Sequence, residues 1–341
     1  MSSYYLLPKG NIQLDKCFQL EYSEISSNNI LSPSLTHYLY ELLNNEQINS
    51  PDFFKLQNDI HPYYNKILTN HKYSPDFFEL YEIIQTMHLN KYIENHIKTP
   101  LNVLSFEKNT KTSASLAFQY IKHNSYLSPL IQNDMYFYWN YTLYNSNAFE
   151  KIYLNHAAKT HVIIANNIKY MNNKSILIQM CMALCIQCKK GIFIWKMGET
   201  YTQLSLEILY FLSSFYEKIY IIKPSVIDIS KSEKYVVCKG FLYENSYSIY
   251  TYLHSFVKYI DSFQPPKKNI CRFLNIHIPN FFIGKLEEVH YILGQTQLEQ
   301  IQYLLLLLSH KYKDEKIKNI EKLNEQKCIE WCRKNRFFIH P

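Results

Sequence analysis

Residues 191–240 read GIFIWKMGETYTQLSLEILYFLSSFYEKIYIIKPSVIDISKSEKYVVCKG, and this stretch limits the fold more than any other part of the chain. An apolar run at 192–195 ends in Lys196. From 203 to 215, apolar residues recur at 204, 206, 208, 209, 211, 212 and 215, the spacing of a buried helix face. A second apolar run at 219–222 leads into Lys223-Pro224. After a polar turn ending in Ser232-Glu233, a third run occupies 235–238. The order strand, helix, strand, hairpin, strand belongs to α/β proteins. It puts two ionisable residues, Lys196 and Glu233, at strand edges where they can face a common cleft.

The rest of the chain extends this reading. Its 341 residues suffice for one large domain or two smaller ones. Residues 1–70 read as a mostly helical N-terminal region with turns at Ser32-Pro33 and Ser50-Pro51. A short echo, SPDFFKL at 50–56 and SPDFFEL at 74–80, marks two helix starts. In each, Ser is the N-cap, Pro takes the first helical position and an acid sits in the first turn. Residues 71–243 read as a Rossmann-like core with a mixed, mostly parallel sheet. Its predicted elements are a helix at 75–87, strands at 101–106, near 136–141 and at 161–165, a helix at 175–189, and then the block above. Residues 244–341 read as a helical C-terminal region, strongly apolar over 286–312 and charged over 311–336. The expected fold class is therefore α/β with helical additions at both ends.

The 191–240 block resembles the C-terminal half of FtsJ-like ribose 2′-O-methyltransferases, including viral and cellular cap methyltransferases. The matching residues are Gly191, Phe193, Lys196, Lys223-Pro224, Ser232-Glu233, Tyr235 and Val237. The resemblance implies a Lys-Asp-Lys-Glu catalytic tetrad, with Lys196 nearest the ribose hydroxyl and Glu233 as the last member. Upstream, residues 74–83 follow the frame of the helix that carries the first tetrad lysine, and Glu79 stands in its place. The strand that ends at the tetrad aspartate is matched by 162–167, and Asn166 stands at the aspartate. The implied tetrad is Glu79, Asn166, Lys196 and Glu233, altered at its first two positions. An active member would use S-adenosylmethionine, held by a glycine-rich turn after the first strand. Here that turn would be Glu107, Lys108, Asn109 and Thr110, continuing to Thr112, and no glycine occurs between Gly10 and Gly191. Carboxylates near Lys196 favour its ammonium form and make it a poorer base.

Three functions follow as expectations. The first is a degenerate methyltransferase without a cofactor, serving as a binding or scaffold subunit in viral RNA transcription, capping or a virion. The second is an active 2′-O-methyltransferase with an unusual cofactor loop. The third is an unrelated α/β interaction protein. The net charge of +7 permits an RNA partner, although Lys, Asn, Ile and Tyr share AT-rich codons, so the composition also suits a large DNA virus. The apolar stripe at 286–308 is a candidate contact for a protein partner, or else internal core. No apolar N-terminal run follows a basic segment, and the most apolar run, at 303–308, is too short to span a bilayer. The expected location is the cytoplasm, a viral factory or a virion, with no membrane association. Eight irregularly spaced cysteines point to free thiols in a reducing compartment.

Other motifs carry less. Cys181, Cys185 and Cys188 have the spacing of an iron–sulfur motif, but the spacing also fits one face of an apolar helix, where cysteine is a small buried hydrophobe. Cys328 and Cys332 have no His pair beside them, and no metal site is expected. No G-x-S-x-G elbow occurs. Lys267-Lys268 reads as a solvated basic loop.

Overall fold

The computed structural model describes residues 3–24, 31–60, 73–106, 116–118, 120, 135–138, 144–166, 171–262, 268–309 and 313–337. In chain order the elements are β1 (Ser3–Leu7), β2 (Phe18–Ser23), α1 (Pro33–Leu43), α2 (Pro51–Ile60), α3 (Pro75–Thr86), α4 (Leu89–His96), β3 (Asn102–Phe106) and β4 (Met135–Tyr138). They continue with α5 (Ser146–His156), β5 (Thr160–Ala165), α6 (Asn173–Ile186), β6 (Gln187–Met197), α7 (Gln203–Phe215), β7 (Tyr216–Lys223) and β8 (Lys234–Phe241). The last are α8 (Tyr247–Ser262), β9 (Asn269–Leu274), α9 (Asn280–Ser309) and α10 (Lys313–Asn335).

Seven strands form one sheet in the order β1-β7-β8-β6-β5-β3-β4. The β4, β3, β5 and β6 strands run parallel. The β8 strand is antiparallel to both β6 and β7, and β1 is antiparallel to β7, so five of the seven strands share a direction. From β3 the order departs toward β4 on one side and β5 on the other. In open α/β sheets this switch point opens a crevice at the carboxyl ends of the strands. The fold is a Rossmann-like α/β sheet, as expected, and the strands predicted at 161–165, 192–196, 219–222 and 235–238 all belong to it.

Side-chain alternation divides the core into two layers. Val103, Val162, Ile164, Ile192, Ile194 and Val237 face α3, with Trp331, Cys332 and Phe337 packed outside it. Leu104, Ile163, Phe193, Val236 and Cys238 face the opposite layer, which holds α5 to α8 and the first turns of α9. Helix starts follow local chemistry. The Thr202 hydroxyl accepts the Ser205 amide at 3.2 Å, and the Asn172 side chain accepts the Ser175 amide at 2.8 Å.

Several expectations are corrected. The N-terminal region carries two strands besides its helices. Its first strand pairs with β7, Ser3 opposite Lys223, and its second pairs with β9 in a separate two-stranded sheet. That β9 strand lies within the C-terminal region, beside its helices α8, α9 and α10. The helix predicted at 175–189 ends at Ile186, so Cys188 lies on β6 rather than on a helix face with Cys181 and Cys185. All eight cysteines are free. The strand near 136–141 spans Met135–Tyr138, with 139–143 outside the described residues. Leu286, Ile301, Leu304 and Leu307 of the 286–308 stripe are buried within the molecule. Residues 107–115, including Glu107, Lys108, Asn109 and Thr110, and also Lys267, lie outside the described residues.

Candidate functional site at the end of strand β6

Lys196 is the penultimate residue of β6 and pairs with Tyr235 of β8. Alternation from Ile192 and Ile194 turns it toward α3. Because β8 runs antiparallel to β6, its first residues arrive at the carboxyl end of the parallel strands. Glu233, just before β8, is thereby brought beside Lys196, Oε2 to Nζ 3.2 Å. The α3 helix begins with Pro75 at its first position and Asp76 in its first turn. Asp76 and Glu79, three residues apart and so on one helix face, both reach the ammonium. The distances are 3.0 Å to Asp76 Oδ1 and 2.7 Å to Glu79 Oε2.

Three of the four sequence-predicted site residues, Glu79, Lys196 and Glu233, are therefore in direct contact. Asn166 follows the last residue of β5, one position beyond the Ala165–Trp195 pair, which puts its backbone level with Lys196. Asp76 was not anticipated. It lies in the quoted SPDFFEL segment, and its three-residue offset from Glu79 was the available signal. With Asp76 included, one ammonium faces three carboxylates, a formal sum of 1 − 3 = −2 when all are ionised. Lys196, Glu79 and Glu233 without Asp76 would carry −1. Tyr235 completes the cluster: its hydroxyl donates to Glu79 Oε2 at 2.7 Å.

The electrostatics follow from this geometry. Burial alone would lower the Lys196 pKa, but Glu79, Asp76 and Glu233 together hold it above its ordinary value. Burial pushes the Glu79 carboxyl up, opposed by Lys196 and by the Tyr235 hydroxyl. An ammonium fixed in this way can donate hydrogen bonds and anchor acids, but near neutrality it cannot accept a proton. Three residues beyond Glu79, buried Glu82 accepts the Ser225 amide at 2.8 Å, the Ser225 hydroxyl at 2.9 Å and Trp331 Nε1 at 2.9 Å. It ties α3 to the β7–β8 connection and to α10.

On the opposite sheet face the neighbouring Lys234 is almost fully buried. Its ammonium donates to the carbonyls of Gly198 at 2.7 Å and Ser232 at 3.0 Å. Desolvation, helped by Lys223, lowers its pKa to about 7 against the pull of Glu199. Lys223 is lowered to about 8, mainly by burial. Nearby, His290 Nε2 and the Thr200 hydroxyl lie 2.8 Å apart, and burial lowers the imidazole to about 3. Among the described residues no His/Cys/Asp/Glu group is arranged to hold a metal ion, and no helix is long and apolar enough to cross a membrane.

No protein-family model matches the chain. Parts of it are similar to proteins named cap-specific mRNA (nucleoside-2′-O-)-methyltransferase 1. The identity is 33% over 79 residues with that of Trypanosoma cruzi, covering 23% of this chain and 22% of the relative. It is 29% over 110 residues with that of Dictyostelium discoideum, covering 32% of this chain and 13% of the relative. It is 36% over 70 residues with that of Homo sapiens, covering 20% of this chain and 8% of the relative. The chain thus spans less than a quarter of the length of the curated relatives it matches. Joined to a Rossmann-like sheet, these partial similarities make the chain RNA 2′-O-methyltransferase-like.

Proposed function

We propose that this RNA 2′-O-methyltransferase-like chain is catalytically degenerate. In this reading it serves as a binding or scaffold subunit in RNA transcription or capping, in a viral setting. The observation that carries the proposal is the engagement of Lys196 by Asp76, Glu79 and Glu233. Methylation of a ribose hydroxyl needs a group that takes up the hydroxyl proton. Lys196 is held as an ammonium and keeps its protons near neutrality. The surrounding carboxylates also repel a phosphate-bearing strand, so any RNA retained would sit on another surface.

S-adenosylmethionine is the methyl donor that such an activity would require. The residues around Lys196 do not fit that use. They hold the lysine as an ammonium that cannot itself take up the hydroxyl proton, and the sequence between Phe106 and Gly191 has no glycine to let the backbone approach a ligand. The test pairs calorimetry with S-adenosylmethionine and a methyl-transfer assay on capped RNA. The expected results are weak or absent cofactor binding and no transfer. Micromolar binding together with transfer that is lost in Lys196→Ala establishes the active-enzyme reading instead, which the similarity to cap methyltransferases favours.

A further inference from the structure

Away from Lys196, a groove of about 600 Å³ runs between α1 and α9. Its volume lies in the range of sites that take a ligand or a side-chain cluster. The two helices meet closely at Gly294, where an added Cβ would stand 2.5 Å from Leu35 Cδ2. They separate toward the start of α9, where a Cβ on Gly284 would meet nothing within 4 Å. Leu35 and Tyr38 form one wall, and Gly284, Glu287, Glu288 and Tyr291 the other. Tyr38 and Tyr291 are 59% and 65% exposed, large enough values to leave the ring surfaces open to a partner. Glu287 is steadied by the Ser32 amide at 3.4 Å, and Glu288 by Lys285 at 2.8 Å.

The lining thus combines two aromatic rings and two carboxylates, with no basic side chain of its own among the described residues. Ring faces and carboxylates both attract an alkylated or guanidinium cation, and Leu35 offers an apolar floor beside them. The lining offers a phosphate no cationic side chain of its own, although Lys285 pairs with Glu288 at its edge and the chain as a whole carries a net charge of +7. We infer that this groove is the docking site of a protein segment that presents an arginine or lysine next to an apolar side chain. The inference shares no residue with the Lys196 centre and holds whether or not methyl transfer occurs.

The probe is a fluorescent decapeptide of alternating arginine and leucine, titrated by anisotropy against the full chain. An acidic version of the peptide and a short uridine RNA serve as competitors. The basic peptide should bind, weaken with added salt, and resist both competitors. Gly284→Leu fills the groove without changing charge, at a helical position with open space. It should lower affinity at least about tenfold while the melting temperature holds or rises. Changing Glu287 and Glu288 together to Gln keeps the acceptor for Ser32 and should lower affinity about fivefold. Undiminished binding by Gly284→Leu, absence of binding by the wild type, or displacement of the peptide by RNA overturns the inference.

Discussion

Two lysines near one end of the sheet titrate in opposite directions, and the cause is the chemistry of what each meets. Lys196 meets three carboxylates and stays charged well above its ordinary range. Lys234, on the other face, donates to two carbonyls, and burial with the neighbouring Lys223 outweighs the pull of Glu199 and lowers it to about 7. Between about 7 and the ordinary 10.5 the unfolded chain holds a proton at Lys234 that the folded chain lacks. Stability from this group therefore rises with pH across that window, and the full penalty stands below it. Lys234→Met should stabilise the fold by about 1–3 kcal/mol at pH 6 and by less at pH 10. Chemical denaturation at both pH values measures this, and equal gains would show that the amine carries no burial penalty.

At the scale of elements, the junction of α6 and β6 departs most from a regular pattern. Thr160 pairs with Gln187, yet Val162 pairs with Ile192, so residues 188–191 bulge out of the ladder. Lys190 takes the left-handed conformation at φ 63. Buried Gln187 spans the gap by donating to the carbonyls of Thr160, His161 and Ile192 and accepting the Tyr216 hydroxyl. Gly191 lies against that side chain, where a Cβ would stand 2.2 Å from Gln187 Nε2 and 2.8 Å from the Cys188 carbonyl. Gly191→Ala should thus destabilise by about 1–3 kcal/mol through displacement of Gln187. A denaturation midpoint equal to the wild type would mean the bulge relaxes freely. The bulge brings the apolar run 192–195 into register with β5 and so delivers Lys196 to the sheet edge at the height of Glu233.

For the whole molecule, the C-terminal helix acts as an outer layer on the helix that carries Asp76 and Glu79. Phe337 packs against Phe77, Phe78, Tyr81, Tyr120 and Trp331, with centroids 4.8–6.2 Å apart. The Tyr81 hydroxyl donates to the Asn335 carbonyl at 2.9 Å, and Trp331 donates to Glu82. Ending the chain at Ser309 would expose Phe78 and Tyr81 and deprive buried Glu82 of one donor. The expected loss is at least about 3 kcal/mol of stability, with increased binding of an apolar dye. An unchanged melting temperature would show that α3 is held by the sheet alone.

Short apolar runs were enough to read the sheet strands from 161 to 238, and helical spacing to read α7, because a strand buried on both faces is apolar throughout and a buried helix face leaves its period in the residues. The same runs also led to the expectation that Lys196 and Glu233 would face one cleft, since strand ends in a Rossmann-like sheet share an edge. Three features required the tertiary structure. The strand Ser3–Leu7 became a sheet member only by pairing with β7 more than half the chain away, and edge pairing leaves no local period. The exit from α6 at Ile186 was set by Gln187 reaching carbonyls of β5, a contact invisible in a run of apolar residues and cysteines. Asp76 joined Lys196 because the docking angle of α3 turned its first turn over the end of β6. Composition reports which faces are buried, but the choice of partner across the interface belongs to packing, and at this site packing supplied a third carboxylate.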